Sequence, residues 1–242
     1  MNVKKLIAHR GDNTNFPENS YAGFEAALQA GARFIELDIQ MNSDSSLIVF
    51  HDDTFNRTCD KKGSVLKAND KDLLSVSAHQ PLRFDDKHFP TRIPFLSEIL
   101  ALLKKHPKAH VFVEIKEESI DLWGVSKVMD KIFAALKGYK NQATIISFSQ
   151  DAIKYTQQQS PLKTGLVFRH YDKKHEKIAH ALKPDYMICA YRIIPEKALW
   201  KGSWQWMVYS INDASLLKKI LARKEIDLIE TDNIQTMLKA HF

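Results

Sequence analysis

Five side chains that could transfer protons or bind a metal ion lie in or at the ends of predicted strands. His9 and His51 each close a short apolar run, whereas Glu36, Asp38 and Glu114 lie inside two other runs. Alternate residues of a strand point to the same face, so Glu36 and Asp38 point together. Buried carboxylates are costly unless a cation compensates them. Three such carboxylates with no Cys beside them predict a hard divalent ion, Mg²⁺ or Ca²⁺.

The remaining charged residues of these runs indicate phosphoryl chemistry. Two imidazoles can serve as acid and base on opposite sides of one reacting centre, since His holds and releases protons near neutral pH. Arg10 follows His9 and Lys116 follows Glu114 by two residues, and both cations could neutralise a phosphate. The sequence carries no G-x-S-x-G motif for a serine nucleophile.

A purely structural interpretation exists for each of these residues. Glu36 and Asp38 could form plain ion pairs with Arg10, Arg33 or Lys116. A single His at a strand end is more often structural than catalytic. The combination of two such His residues with three carboxylates favours a metal-assisted catalytic site.

The elements that would position these residues alternate regularly along the chain. The strands are predicted at 6–9, 34–41, 111–116, 143–148, 164–168, 186–190, 207–211 and 226–229, with 47–51 extending the second strand after a turn. The helices are predicted at 21–28, 96–103, 125–136, 152–158, 176–182, 196–200, 214–222 and 234–241. Asn19 or Ser20 can cap the first helix, and Gly31 ends it.

This alternation predicts a parallel sheet with helices outside it. About eight strand–helix units in roughly 250 residues match the (β/α)₈ TIM barrel, in one domain over 1–242. A doubly wound open sheet is the competing fold, but it would carry a glycine-rich phosphate loop after its first strand, where only Gly11 stands. The polar segment 53–93 is too long for a plain connection and is predicted to be an insertion with its own structure or function.

Composition excludes several classes of protein. The 242 residues are 44% hydrophobic and 26% charged, as in soluble globular proteins, with no run long enough for a membrane span. The two cysteines, Cys59 and Cys189, do not form a disulfide framework, and the N-terminus lacks a signal peptide, so a reducing cytoplasm is expected. The net charge is +6, but the basic residues occur as short scattered pairs, a pattern that does not predict nucleic-acid binding. The sequence leaves a monomer or a homo-oligomer open.

An ordered set of short motifs covers nearly the whole chain. They are His9-Arg10-Gly11, Pro17-Glu18-Asn19-Ser20, Glu36-Leu37-Asp38, His51-Asp52-Asp53-Thr54, Arg57-Thr58, Ile93-Pro94-Phe95-Leu96, Val113-Glu114-Ile115-Lys116, Ser210-Ile211-Asn212-Asp213 and Thr231-Asp232. In these motifs and their order the sequence resembles the bacterial glycerophosphodiester phosphodiesterases.

The resemblance implies a TIM barrel with a small insertion after its second strand. It implies hydrolysis of small glycerophosphodiesters, such as glycerophosphocholine or glycerophosphoethanolamine, to glycerol 3-phosphate and an alcohol. By the family pattern His9 and His51 are the acid–base pair, and a divalent cation is bound by Glu36, Asp38 and Glu114. The family mechanism uses a glycerol hydroxyl of the substrate as nucleophile and passes through a cyclic phosphate.

The same pattern assigns Arg10 and Lys116 to the substrate phosphate, and three departures from it stand out. Tyr209 occupies a place where the family usually has Trp, so the wall it would give to the substrate pocket gains a hydroxyl. Ile234 stands where Pro is common, and the turn at Asp44-Ser45-Ser46 lacks the usual Gly.

Two other functions are compatible with this set of residues. A lysophospholipase D or sphingomyelinase D activity on lysophospholipids would need an apolar mouth, for which the polar segment 53–93 offers little. A non-catalytic phosphodiester-binding protein would be expected to lose a His or a metal carboxylate, and none is lost.

Overall fold

Nine strands form the central sheet, and eight of them close into a parallel barrel. The structure, a computed structural model, describes residues 5–240. The strands are β1 (Leu6–His9), β2 (Phe34–Met41), β3 (Leu47–Val49), β4 (His110–Ile115), β5 (Ala143–Ser147), β6 (Lys163–Phe168), β7 (Tyr186–Ala190), β8 (Gln205–Tyr209) and β9 (Ile226–Thr231). All but β3 are parallel, and β1 pairs with both β2 and β9, which closes the barrel. The predicted TIM barrel is confirmed.

Ten helices flank or follow these strands within the described residues. They are α1 (Tyr21–Gln29), α2 (Asp70–Leu73), α3 (Pro81–Phe84), α4 (Leu96–Lys104), α5 (Glu117–Trp123), α6 (Val125–Leu136), α7 (Gln150–Gln159), α8 (Lys173–Leu182), α9 (Ala214–Leu221) and α10 (Ile234–Lys239). Ser20 caps α1, because its side chain accepts a hydrogen bond from the Gly23 amide. The last helix, predicted over 234–241, is present as α10 and ends at Lys239. Its predicted end at His241 lies outside the described residues.

Two details of the prediction are wrong. Residues 196–200 are irregular rather than helical, since the carbonyls of Pro195 and Lys197 accept hydrogen bonds from the Arg223 guanidinium instead of from a following helical turn. The run 47–51 does not continue β2. It folds back as the antiparallel β3, after a turn in which Ser45 takes a φ of 61°.

The barrel interior is filled by side chains over most of its height. Large apolar residues of seven strands meet there: Ile7, Phe112, Ile146, Val167, Tyr186, Ile188, Met207 and Leu228. Gly165 also faces this space. A Cβ at Gly165 would lie 2.8 Å from Ile188 Cδ1 and 2.9 Å from Ile146 Cγ2, so a larger residue does not fit without movement. The open space is therefore confined to the carboxyl ends of the strands, where TIM-barrel sites are found.

Residues 53–93 form a compact layer whose apolar side chains pack with two residues in and after β3 in a small hydrophobic cluster, separate from the main core. The cluster contains Ile48, Phe50, Phe55, Cys59, Val65, Ala68, Leu73, Val76, Ala78 and Ile93. The side-chain amide of Gln80 donates a hydrogen bond to Glu18, and the Arg83 guanidinium donates one to Asn13. These bonds hold α3 against the loop that follows β1. The layer is less polar outside than expected, because Leu82 is 89% and Phe89 56% exposed.

Both cysteines are buried and unpaired, as expected for reduced thiols. Burial raises the pKa of Cys59 and of Cys189 to about 12, so neither thiol is a ready nucleophile. No helix within 5–240 combines the length and the apolar character that crossing a membrane requires.

Candidate active site

The register of three neighbouring strands brings the predicted site residues to one level of the barrel. His9 of β1 lies opposite Glu36 of β2, and Asp38 of β2 lies opposite Glu114 of β4. Residues two apart share a face, so these side chains point toward the barrel axis above the apolar interior. The sequence prediction that they converge agrees with this arrangement.

Glu36, Asp38 and Glu114 can each offer an oxygen to one point. These oxygens lie within 4.8 Å of one another, although Glu36 and Asp38 are each only 1% exposed. Burial, followed by the charge of Asp38, raises the pKa of Glu36 well above its ordinary value. Within the described residues, Glu36 Oε1 is buried without a hydrogen-bond partner. A buried oxygen of this kind requires a partner, and a cation among the three carboxylates would supply it.

Two cations compensate part of this negative charge. Arg10 Nε lies 3.1 Å from Asp38 Oδ2 as an ion pair without hydrogen-bond geometry, and Lys116 Nζ lies 2.7 Å from Glu114 Oε1 and 3.5 Å from Asp38 Oδ1. Burial opposes ionisation of Asp38, but Arg10 and Lys116 lower its pKa below the usual range. The ion-pair interpretation thus holds for Asp38, and the pair of Glu114 with Lys116 adds to it. It does not extend to Glu36 or to the exposed Arg33.

A fourth carboxylate, Glu230, belongs to this group and was missed by the sequence reasoning. It is 3% exposed, and burial followed by the charges of Glu114 and Asp38 raises its pKa well above normal. The predicted strand ends at residue 229, two positions short, whereas β9 continues to Thr231. The signal was available, because Leu228 faces the interior and Glu230 is two residues farther along the same strand.

His9 is oriented by Asp232, which stands just beyond β9. Its Nδ1 lies 2.7 Å from Asp232 Oδ1, while its Nε2 lies 3.9 Å from Glu36 Oε2. Burial opposes ionisation of Asp232, yet hydrogen bonds from His9, Asn212 and Asn13 lower its pKa to about 2. A carboxylate at Nδ1 fixes the proton there and leaves Nε2 as the free nitrogen on the pocket side.

His51 has a corresponding partner in Asp52. Its Nδ1 lies 2.6 Å from Asp52 Oδ1, and Arg57 donates to both oxygens of the same carboxylate at 2.7 and 2.8 Å. Arg57 also donates to Glu18, which accepts from Arg10 as well. Burial alone would raise the pKa of Asp52, but the hydrogen bonds from His51 and Arg57 lower it below its ordinary value. Asp52, Asp232, Glu18 and Arg57 stood in the motifs without an assigned role.

The chain reaches this geometry through an unusual turn after β1. Arg10 and Asn19 adopt positive φ values of 57° and 56°, a conformation that is strained for residues with a Cβ. The turn places the Arg10 amide 3.1 Å from Glu36 Oε2 and Asn19 Nδ2 2.8 Å from Asp38 Oδ2. Between them Gly11 has a φ of 84°, and a Cβ there would lie 2.7 Å from the Gly23 carbonyl carbon. Only Gly fits this approach of the turn to α1.

A cavity of about 270 Å³ opens over these residues. One side is polar, with His9, Arg10, His51, Glu114, Lys116, Ser210 and Glu230, and the other is formed by Ile146, Phe148, Ile188 and Tyr209. Burial raises the pKa of the Tyr209 hydroxyl, which therefore stays neutral and can donate a hydrogen bond. The arrangement can bind an anion beside a cation site, with one imidazole at the end of β1 and the other just after β3.

We expect the Arg10–Asp38 pair to stabilise the fold strongly in the absence of divalent cations. Replacing Arg10 by Met leaves Asp38 buried without its nearer cation, which should lower the free energy of unfolding by about 3–5 kcal/mol. The Asp38→Asn substitution in the same chain should restore a large part of that loss. Denaturant unfolding of both single variants and the double variant measures the coupling, with the exposed Arg192→Met as the control. Strictly additive effects would contradict the pairing.

Comparison with proteins of known sequence places the chain among phosphodiesterases. A glycerophosphodiester phosphodiesterase of Caldanaerobacter subterraneus is 29% identical over 245 residues, which cover 96% of each chain. The human glycerophosphodiester phosphodiesterase 1 is 30% identical over 173 residues, or 70% of this chain and 50% of the human one. The first of these similarities therefore extends over the whole fold.

Solved structures share the same architecture. A phosphodiesterase of Oleispira antarctica, solved in complex with the product sn-glycerol-3-phosphate, superposes with a TM-score of 0.85 at 20% identity, over 97% of this chain and 95% of that one. A glycerophosphodiester phosphodiesterase of Agrobacterium tumefaciens gives 0.79 at 24% identity over 98% and 99%. The model of the glycerophosphoryl diester phosphodiesterase family matches residues 9–236, and the chain therefore belongs to this family and is a glycerophosphodiester phosphodiesterase.

Proposed function

We propose that this chain hydrolyses small glycerophosphodiesters to glycerol 3-phosphate and an alcohol, with His9 and His51 as its acid–base pair. Glycerophosphocholine and glycerophosphoethanolamine are the expected type of substrate. One observation carries the proposal: each of the two imidazoles has its Nδ1 held by a carboxylate, and both line one cavity together with Glu114 of the acidic cluster. The glycerol 3-phosphate bound to the Oleispira antarctica protein supports the assignment of the product.

Glu36, Asp38 and Glu114 are proposed to hold one divalent cation, Mg²⁺ or Ca²⁺. The donors are all carboxylate oxygens, the type preferred by hard cations, and Glu36 Oε1 is buried with no hydrogen-bond partner among the described residues. When bound, such an ion supplies positive charge to a phosphate oxygen and lowers the pKa of a hydroxyl or water that contacts it.

The histidines transfer protons in the proposed reaction. With Nδ1–H donated to Asp232 or Asp52, the Nε2 of each neutral ring is a free acceptor. One His, as the neutral ring, takes the proton of the glycerol hydroxyl on its Nε2 as that oxygen attacks phosphorus. The other, as the doubly protonated imidazolium, gives its Nε2 proton to the departing alcohol oxygen. The products of this step are a cyclic phosphate and the alcohol. A water then opens the cyclic ester with the two proton transfers reversed.

Arg10 and Lys116 are proposed to bind the phosphate. Burial alone would lower the pKa of both, but the neighbouring carboxylates raise it above the ordinary value, so both side chains carry charge at any physiological pH. Tyr209 is proposed to form the flat wall opposite them. Ser210 is poorly placed as a nucleophile, because its Oγ lies 3.5 Å from His9 Nδ1, the nitrogen already bound by Asp232.

A second candidate activity, on lysophospholipids, is favoured by one observation. Leu82 and Phe89 are exposed on the layer 53–93, which was expected to be polar throughout. The Gln80 side chain next to this surface contacts Glu18 of the site network. An exposed apolar surface near the site could contact an acyl chain.

Substitution of either His should abolish turnover without unfolding the protein. We expect His9→Ala and His51→Ala each to lower kcat by about 10²- to 10⁴-fold, since each removes a proton-transfer group. The exposed His180→Ala is the matched control and should retain full activity. Release of glycerol 3-phosphate measures the rate, and circular dichroism checks the fold. Near-normal rates in both variants would refute the assignment.

The reaction should require a divalent cation and yield a product that identifies the substrate class. After treatment with EDTA we expect no turnover of glycerophosphocholine, and recovery on addition of Mg²⁺ or Ca²⁺, but no recovery in Glu36→Gln. Lysophosphatidylcholine, tested in parallel, should be the poorer substrate. Formation of lysophosphatidic acid or its cyclic form as the faster reaction would favour the second candidate. Full activity with EDTA present would contradict the metal assignment.

A further inference from the structure

A second cavity adjoins the active-site cavity at the ends of β5 and β6. It measures about 280 Å³, and its polar or aromatic lining residues are Phe148, Gln150, Phe168, Arg169, His170, Lys174 and His175. Phe148 lines both cavities, so it forms the border between them. Neither the three carboxylates nor the two proposed catalytic His residues line the second cavity, so it lies beside the proposed reacting centre rather than within it.

The two cavities together offer a diester more room than either does alone. Ligand sites in proteins usually measure about 300–1,000 Å³, and each of the two cavities alone falls below that range. A phosphate held near Arg10 and Lys116 leaves one of its two ester substituents directed toward the apolar wall that ends at Phe148. The second cavity is the adjacent space for that substituent.

Arg169 controls the character of this space. Its guanidinium carbon lies 3.9 Å from the centre of the Phe148 ring, and its Nη2 donates to Glu117 Oε2 at 3.0 Å. Glu117 is its only hydrogen-bond partner within residues 5–240, so the other guanidinium N–H groups are available to a ligand. The Arg169 charge also acts on Tyr209, where it opposes the rise in the hydroxyl pKa caused chiefly by burial.

The charged side chains that line this cavity, Arg169 and Lys174, are both cations. Lys174 lines it and forms no ion pair in the described part of the chain. The two nearby carboxylates are already engaged: Glu117 binds Arg169, and Asp172 binds the amide and the ring of His175. An aromatic face is what a quaternary ammonium group would use, but the Phe148 face is covered by Arg169.

We propose that this cavity receives the alcohol part of the substrate, and that Arg169 on Phe148 selects head groups bearing a further anion over quaternary ammonium head groups. The inference rests on the proposed function and narrows its substrate class. A phosphate or carboxylate on the head group would accept hydrogen bonds from the free guanidinium N–H groups, whereas a choline would meet a like charge.

The test compares kcat/KM for glycerophosphoinositol 4-phosphate and glycerophosphocholine. We expect the wild-type chain to favour the anionic substrate, and Arg169→Gln to reduce this preference about 5- to 10-fold, a moderate change since Arg169 is 61% exposed. The KM for glycerophosphocholine should fall in Arg169→Gln, because the Phe148 face becomes free. Arg192→Gln removes an equal charge outside both cavities and should leave the preference unchanged.

The possible results distinguish a failure of this inference from a failure of the proposed function. If both substrates are hydrolysed and Arg169→Gln has the same preference as the wild-type chain, Arg169 does not select the head group. An equal change in Arg192→Gln would mean a general charge effect and would also overturn the inference. Turnover of neither substrate would overturn the proposed function and this inference with it.

Discussion

Four carboxylates held out of water at the mouth of one barrel are the constraint on which the site depends. Glu36, Asp38 and Glu230 are almost fully buried, and Glu114 completes the group beside them. Their mutual repulsion in a poorly solvated space is compensated only in part by Arg10 and Lys116. The protein keeps Asp38 ionised through these cations and leaves Glu36 with an unpartnered oxygen. A divalent cation bound there would remove the remaining imbalance.

The surroundings of this cluster can be understood as the support that holds it in place. The strained turn after β1 directs both the amide and the guanidinium of Arg10 at the cluster, and Gly11 allows that turn to pack on α1. Farther out, Glu18 links Arg10 to Arg57, which in turn holds the Asp52 carboxylate beside His51. Arg10, Arg57 and one of the two histidines, His51, are thus positioned by a single network of charge-assisted hydrogen bonds.

The sequence predicted the barrel and the core of the site because both follow from short-range rules. Strand–helix alternation predicted the parallel sheet, and the two-residue period placed Glu36 with Asp38 on one face. Contacts between distant segments were not accessible in the same way. Arg223 takes the carbonyls that a helix at 196–200 would need, and Asp232 reaches His9 from the other end of the chain. Glu230 was lost because the predicted strand stopped two residues early, and the left-handed Arg10 has no signature in a single sequence.

Calorimetric titration of the metal-free protein measures directly whether the buried carboxylates form one site for a divalent cation. Metal-free protein would be titrated with Mg²⁺ and, separately, with Ca²⁺, using the wild-type chain and Glu36→Gln. We expect one binding event per wild-type chain for at least one of the two ions, weakened about 100-fold or more in Glu36→Gln. Absence of binding of both ions to the wild-type chain, or equal affinity in Glu36→Gln, would contradict it.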